Sequence, residues 1–124
     1  MVRSMKKLEW LLCALLALAG LGHLLGTFMF YEPGTELFAW SLAAAAFVFM
    51  LVFLHGVRIV RPHDSPIAWG AIVGTVAWIV CALLFGAADT GVLDPRVLMH
   101  VLVSAALVVT ALLGMRTASR TAVA

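Results

Sequence analysis

Residues 37–57 read LFAWSLAAAAFVFMLVFLHGV, a continuous apolar run that contains no Asp, Glu, Lys or Arg. As an α-helix, a run of this length extends about 31 Å, which matches the hydrocarbon core of a bilayer. A half-buried strand would alternate apolar and polar side chains, and this run does not. It therefore predicts a membrane-spanning helix over about residues 36–57.

Three more apolar runs of similar length accompany it, at about residues 8–30, 66–86 and 95–115. Short segments of turn-forming residues separate the runs, and Thr35, Ser65 and Asp94 are the expected helix N-caps. Only helices and closed barrels satisfy their backbone hydrogen bonds in lipid, and short connections place successive helices antiparallel. The sequence thus predicts an all-α, up-down bundle of four transmembrane helices.

The composition of the chain excludes most soluble classes of protein. Of its 124 residues, 65% are hydrophobic and 11% are charged, and the mean hydropathy is +1.13. A soluble domain has about 45–50% apolar and about 25% charged residues. We therefore expect a single integral membrane domain over residues 1–124, rather than a soluble enzyme, a nucleic-acid-binding protein, a disulfide scaffold or a disordered chain.

The distribution of charge predicts the orientation. Seven of the eight basic residues fall on one side of the predicted bundle: Arg3, Lys6, Lys7, Arg58, Arg61, Arg116 and Arg120. The other side holds Arg96 together with Glu32, Glu36, Asp89 and Asp94. The positive-inside rule then places both termini in the cytoplasm and the protein in the inner membrane. The first apolar run is longer than the core of a signal peptide, so we expect it to be retained.

Small and polar residues repeat at helical spacing along each run, and such stripes are typical of helix–helix contacts in lipid. They are Cys13, Ala17, Gly20, His23 and Thr27; Ser41, Ala44, Val48 and His55; Gly70, Gly74, Ala77 and Cys81; and His100, Ser104, Ala111 and Gly114. We expect these faces to point into the bundle. The Gly70–Gly74 pair serves either packing within the bundle or a homodimer contact.

Two histidines are the candidate site. His23 lies about 10 Å, and His100 about 8 Å, from the same membrane face at the rise of an α-helix. Their helices are neighbours in an up-down bundle, and two neutral imidazoles at one level can hold the iron of haem b. Ala19, Gly20 and Gly22 would leave space for the ring. The alternatives are hydrogen bonds to Ser104, Thr27 or a backbone carbonyl, and a site for a quinone or another ligand.

Charged residues near the helix ends supply two further expectations. Arg58 can pair with a haem propionate or with a lipid phosphate through its planar guanidinium. The carboxylates of Glu9, Glu36 and Asp94 lie at helix ends, where capping and the interface explain them. A proton-coupled transporter generally needs an acid buried in the membrane, so this distribution disfavours that class.

Three functions agree with these patterns. The interpretation that the sequence favours is a structural or accessory membrane subunit without catalysis, surrounded by lipid and assembled as a homodimer or within a larger complex. The second is a haem b-binding, electron-transfer subunit with His23 and His100 as axial ligands. The third is a small oligomeric transporter or channel. We expect no enzyme activity, because the sequence contains no nucleophile or phosphate-loop motif.

Overall fold

The computed structural model describes the backbone of residues 2–121 and the side chains of residues 4–117. Within this part the chain forms four helices and no strand: α1 (Val2–Phe30), α2 (Glu36–Val60), α3 (Ser65–Ala88) and α4 (Pro95–Thr121). All four are long and apolar enough to cross a membrane. The described part of the chain is therefore all-α, with four candidate membrane-spanning helices, as the apolar runs predict.

The helices extend beyond the apolar runs at three ends. α1 begins at Val2 and not near residue 8, α2 continues to Val60, and α4 continues to Thr121. Lys and Arg in these extensions are good helix formers, so hydropathy underestimates helix length where the chain leaves the lipid. The longer α1 has a consequence for Glu9, which lies two turns inside the helix instead of at its end.

Capping residues begin the helices after the loops. Oγ1 of Thr35 accepts a hydrogen bond from the backbone N–H of Phe38, next to Gly34, whose φ of +88° is in the left-handed region. The predicted cap of α3 is wrong by one residue, because Asp64 and not Ser65 accepts the hydrogen bond from Ile67. Oδ1 of Asp94 accepts from the backbone N–H of Arg96.

The helices pack as an up-down ring. Each helix contacts its neighbours in sequence, and α1 also contacts α4. The α2–α3 loop, the start of α1 and the end of α4 lie at one end of the bundle, here called the basic end. The α1–α2 and α3–α4 loops lie at the other, the acidic end. Two basic residues used to predict the orientation, Arg3 and Arg120, lie outside the described side chains.

The predicted inner faces are confirmed for α1, α2 and α4 and wrong for α3. On α3 the buried residues are Ala68, Ala71, Ile72, Thr75, Trp78, Ala82 and Gly86, whereas Gly70, Ala77 and Cys81 are exposed. Small residues occur all round α3, so their spacing does not indicate its buried face. Of the Gly70–Gly74 pair, only Gly74 makes a close contact within the described bundle. A Cβ at Gly74 would lie 2.8 Å from Cδ2 of Leu51, whereas one at Gly70 would meet no atom within 4 Å.

An apolar layer closes the middle of the bundle. It consists of Leu16, Val48, Leu51 and Leu107, one or two side chains from each of α1, α2 and α4, all completely buried. Gly20 allows α1 to approach α2 closely at this layer, since a Cβ at Gly20 would lie 2.8 Å from Cγ1 of Val48. Gly20 therefore serves helix packing and not, as expected from the sequence, space for a ring.

Candidate functional site

A chamber of about 620 Å³ opens between the four helices at the acidic end. Most of its wall is apolar, and its lining includes Ala19, Gly22, Leu37, Ala44, Phe85 and Val97. Ligand-binding pockets are typically about 300–1,000 Å³ and mostly apolar, with a few polar groups that orient the ligand. The size and the lining of the chamber are therefore those of a small-molecule site.

Three polar side chains of the chamber form a hydrogen-bonded chain. Oγ1 of Thr27 donates to the backbone carbonyl of His23 at 2.9 Å and lies 2.7 Å from Oγ of Ser41. Oγ of Ser41 lies 3.1 Å from Nε2 of His23. Because a hydroxyl has one hydrogen to donate, Ser41 donates to Thr27 and accepts from His23. Nε2 of neutral His23 therefore carries the proton, and Nδ1 carries the lone pair.

His100 faces His23 across the chamber. The ring centroids are 6.3 Å apart and the ring planes are almost perpendicular. The Trp78 ring packs edge-on against His100, with centroids 5.3 Å apart. Nδ1 of His100 and Nε1 of Trp78 are buried without a hydrogen-bonding partner in the described part of the protein. Nε2 of His23 is hydrogen-bonded to Ser41, and Nδ1 of His100 is buried. The other nitrogen of each ring, Nδ1 of His23 and Nε2 of His100, is therefore left for a ligand.

The structure therefore brings His23 and His100 together, while their role as ligands stays a prediction. The partner of His23 is Ser41, which the sequence places on the inner face of α2 without indicating the contact. A hydrogen bond between His100 and Ser104 is not formed, since Oγ of Ser104 is buried without a partner among the described residues. No three His, Cys, Asp or Glu side chains of the described part group as a metal site.

Two charged groups at the mouth of the chamber, Asp94 and Arg96, pair with each other. The guanidinium of Arg96 makes two hydrogen bonds to the carboxylate of Asp94, at 3.0 and 2.9 Å. These bonds, together with the one from the backbone N–H of Arg96, lower the pKa of Asp94 to about 2. The Arg96 side chain is largely exposed. Asp89, at the end of α3, also lines the chamber at its mouth, and the other lining side chains below the mouth are neutral.

A second polar site lies near the basic end. Nη2 of Arg58 on α2 donates to Oε1 of Glu9 on α1 at 3.0 Å, and each residue is only 5% exposed. The pair lies beside Gly114 of α4, where a Cβ would be in ordinary van der Waals contact with Nη1 of Arg58, at 3.6 Å. This corrects the expectation that Glu9 lies at a helix end in the interface: the earlier start of α1 places its carboxylate inside the bundle.

Arg58 is also far from the histidine pair. At the rise of an α-helix it lies about 25 Å further along α2 than Ser41. A haem held by His23 and His100 would thus lie at the opposite end of the bundle from Arg58, whose guanidinium is bound to Glu9. A role of Arg58 in binding a haem propionate at these histidines does not agree with this geometry.

His55 has its own partner next to the ion pair. Its Nε2 lies 2.8 Å from Oγ1 of Thr75, which donates to the carbonyl of Ala71 at 2.7 Å. Because the Thr75 hydroxyl uses its one hydrogen for the Ala71 carbonyl, it accepts from His55, which donates through Nε2. The sequence places His55 on an inner face but does not indicate Thr75, because the face of α3 is not visible in its pattern.

No protein-family model, no curated protein and no solved structure matches the chain.

Proposed function

We propose that this chain is a small accessory membrane protein that binds a mostly apolar molecule in the chamber and has no catalysis of its own. The observation that carries this proposal is a 620 Å³ space in which polar side chains of α1, α2 and α4 converge on an apolar wall. A bundle that only filled its own core would close such a space, because protein interiors pack about as densely as organic crystals.

The small residues on one wall support this proposal. Gly22 lines the chamber, and a Cβ at this position would meet no atom within 4 Å. Its lack of a side chain is therefore not required for packing between helices, in contrast to Gly20 in the apolar layer. Gly22 widens the chamber, which is the effect expected of a residue that makes room for a ligand.

A channel or transporter is less consistent with the same geometry. The apolar layer of Leu16, Val48, Leu51 and Leu107 is completely buried and lies below the chamber. An ion or a polar solute crossing this layer would lose its hydration without a polar partner, which is costly. The chamber is thus better suited to hold a molecule than to pass one through.

Photolabelling tests the proposal. The protein in lipid nanodiscs is irradiated with benzophenone, and adducts are mapped by mass spectrometry of peptides. We expect saturable adducts on chamber residues such as Met99 and Leu37, which line it. Gly22→Leu should remove them by filling the space. Gly70→Leu is the matched control, since a Cβ at this exposed helical glycine also meets no atom within 4 Å, and it should label like the wild type.

Two results would contradict the proposal. One is labelling confined to lipid-facing side chains such as Phe53 and Val109, which are exposed outside the chamber. The other is chamber labelling that Gly22→Leu leaves unchanged at all benzophenone concentrations. Either result would mean that the space does not take up an apolar molecule.

Haem b is a second candidate, favoured by the approach of His23 and His100 to 6.3 Å between ring centroids. Nδ1 of His23 and Nε2 of His100 would hold the iron, since the other ring nitrogens are hydrogen-bonded or buried. Bound haem would supply a one-electron redox centre. Protein purified from haem-replete cells should then show a Soret band that His23→Ala or His100→Ala removes. A flat visible spectrum would reject this candidate.

We also propose that the basic end is cytoplasmic and that the chamber opens to the outer side of the inner membrane. The basic residues at the chain ends and in the α2–α3 loop support this orientation. In a chain carrying Cys13→Ala and Cys81→Ala, an impermeant maleimide added to intact cells should label Thr90→Cys and not His63→Cys. Labelling of His63→Cys alone would reverse the orientation.

A further inference from the structure

We infer that the molecule bound in the chamber has a neutral head with a hydroxyl group, which donates to Nδ1 of His23 and accepts from Nε2 of His100. The inference rests on the proposed binding function and names the chemistry of its ligand. Its basis is the count of donors and acceptors at the two imidazoles, together with the neutral lining of the chamber below its mouth.

His23 supplies the acceptor. Its Nε2–H is used by Ser41, because the hydroxyl of Ser41 donates to Thr27 and that of Thr27 donates to the His23 carbonyl. The chain of bonds closes on the same residue, so a change of tautomer would break it. Nδ1 therefore keeps a lone pair, which makes no hydrogen bond to the described residues and is available to accept from a donor on the ligand.

His100 supplies the donor. Its Nδ1 is buried without a partner among the described residues. A buried N–H without an acceptor is rarer in proteins than an acceptor that lacks a donor, so we assign the proton of neutral His100 to Nε2. An oxygen about 2.9 Å from a ring nitrogen lies about 4 Å from the centroid of that ring, so two such bonds that meet at a tetrahedral oxygen separate the centroids by about 6.5 Å. The observed separation is 6.3 Å. One oxygen between the rings can therefore bridge them.

A hydroxyl oxygen is the atom that satisfies both nitrogens, since it donates once and also accepts. A carbonyl or ether oxygen accepts only and would leave Nδ1 of His23 without a donor. An anionic head would lack a cation, because the guanidinium of Arg96 is bound to Asp94 at the mouth. A phenol, a quinol or an alcohol on an apolar body has the required chemistry.

A matched pair of probes tests the inference on the unaltered protein. In nanodiscs, 4-hydroxybenzophenone and 4-methoxybenzophenone are compared by the concentration that half-saturates adduct formation on Met99. In the methoxy probe a methyl group replaces the hydroxyl hydrogen, so the probe cannot donate, and both probes keep an oxygen that can accept. One hydrogen bond contributes about fivefold in affinity, so we expect half-saturation at about fivefold lower concentration for the hydroxyl probe, after correction for partition into lipid.

Substitutions of His23 and His100 test whether the preference for the hydroxyl probe depends on their imidazole rings. His23→Leu and His100→Leu should each bring the two probes to within about twofold of one another. His23→Asn keeps an acceptor near the position of Nδ1, and His100→Gln keeps a donor near that of Nε2, so both should restore most of the preference. Ser41→Ala removes the hydrogen bond that holds the His23 tautomer and should reduce the preference without abolishing benzophenone labelling.

The outcomes separate this inference from the proposed function. Equal half-saturation for the two probes, with chamber labelling that Gly22→Leu removes, overturns the hydroxyl head and leaves the binding function in place. Absence of chamber labelling with either probe, while lipid-facing residues are labelled, overturns the binding function itself. A preference for the methoxy probe would also overturn the inference.

Discussion

The two polar sites of this bundle share a local design and differ in what surrounds it. In both, a histidine donates through Nε2 to a hydroxyl on a neighbouring helix, and the bonds continue to a backbone carbonyl. His55 is completely buried near the basic end, whereas His23 lines an open chamber near the acidic end. The same polar motif is therefore structural where neighbouring side chains seal it and available to a ligand where they leave space.

Neighbouring groups account for this difference. Beside His55, the ion pair of Glu9 and Arg58 joins α1 to α2 and contacts α4 at Gly114. Beside His23, the α1 wall of the chamber includes Ala19 and Gly22, which fill little volume. The apolar layer separates the two sites, so we expect changes at one end to leave the other largely unaffected.

Breaking the ion pair of Glu9 and Arg58 should have the largest effect on the free energy of unfolding. Arg58→Leu leaves the Glu9 carboxylate buried without its partner, and such a change costs about 3–5 kcal/mol of the free energy of unfolding. The double variant Glu9→Leu, Arg58→Leu should recover most of this loss, since an apolar pair of similar volume is often neutral. Unfolding by SDS titration from mixed micelles measures both.

The exposed pair of Arg96 and Asp94 is the control for this prediction. Its arginine side chain is 72% exposed, so Arg96→Leu should change the unfolding midpoint little. A loss in Arg58→Leu no larger than that in Arg96→Leu would mean that the buried pair does not hold the basic end together.

The two hydroxyl partners of histidine should differ in their effect on stability. Thr75→Val leaves Nε2–H of His55 without an acceptor in a sealed environment, at a cost of about 1–3 kcal/mol. Ser41→Ala makes the same kind of change at His23, where water in the chamber can replace the hydroxyl, and should cost less than about 1 kcal/mol. Equal losses in the SDS titration would show that the two sites are equally closed.

Alanine substitutions at two glycines of α1 should change the free energy of unfolding in opposite directions. A Cβ at Gly20 would press on the branched side chain of Val48, so Gly20→Ala should destabilise by about 1 kcal/mol after the gain in helix preference. Gly22→Ala meets no atom within 4 Å and should stabilise by up to about 1 kcal/mol. Destabilisation by Gly22→Ala would indicate that this wall is already packed.

The smallest effect should come from protonation at the mouth. The folded pKa of Asp94 is lowered to about 2 by hydrogen bonds from Arg96, below its usual value of about 3.9. Its contribution to stability is therefore fully present above about pH 4 and is lost as the pH falls through about 2. A comparison of Asp94→Asn with the wild type should show a small difference at pH 6 that decreases below about pH 4 and disappears below about pH 2.

Particular residues show how far the sequence leads. His23 and His100 are identified from their depth alone, because depth follows from the helical rise and their position in the apolar runs. Trp78 and Thr75 are not identified as inner residues, since α3 is apolar on all sides and its small residues suggest a different face. Glu9 is misjudged because the start of α1 cannot be read from hydropathy once the chain leaves the lipid.

The sequence by itself determined that the chain has four membrane-spanning helices and how they are connected, because the length of an apolar run and the residues that end it are local properties. Only the tertiary structure decided which face α3 buries, that Arg58 pairs with Glu9, and that two imidazoles face one chamber. The physical reason is that lipid and protein interior are similarly apolar, so hydropathy cannot distinguish the surfaces that face them. Close packing and hydrogen bonding between helices make that distinction.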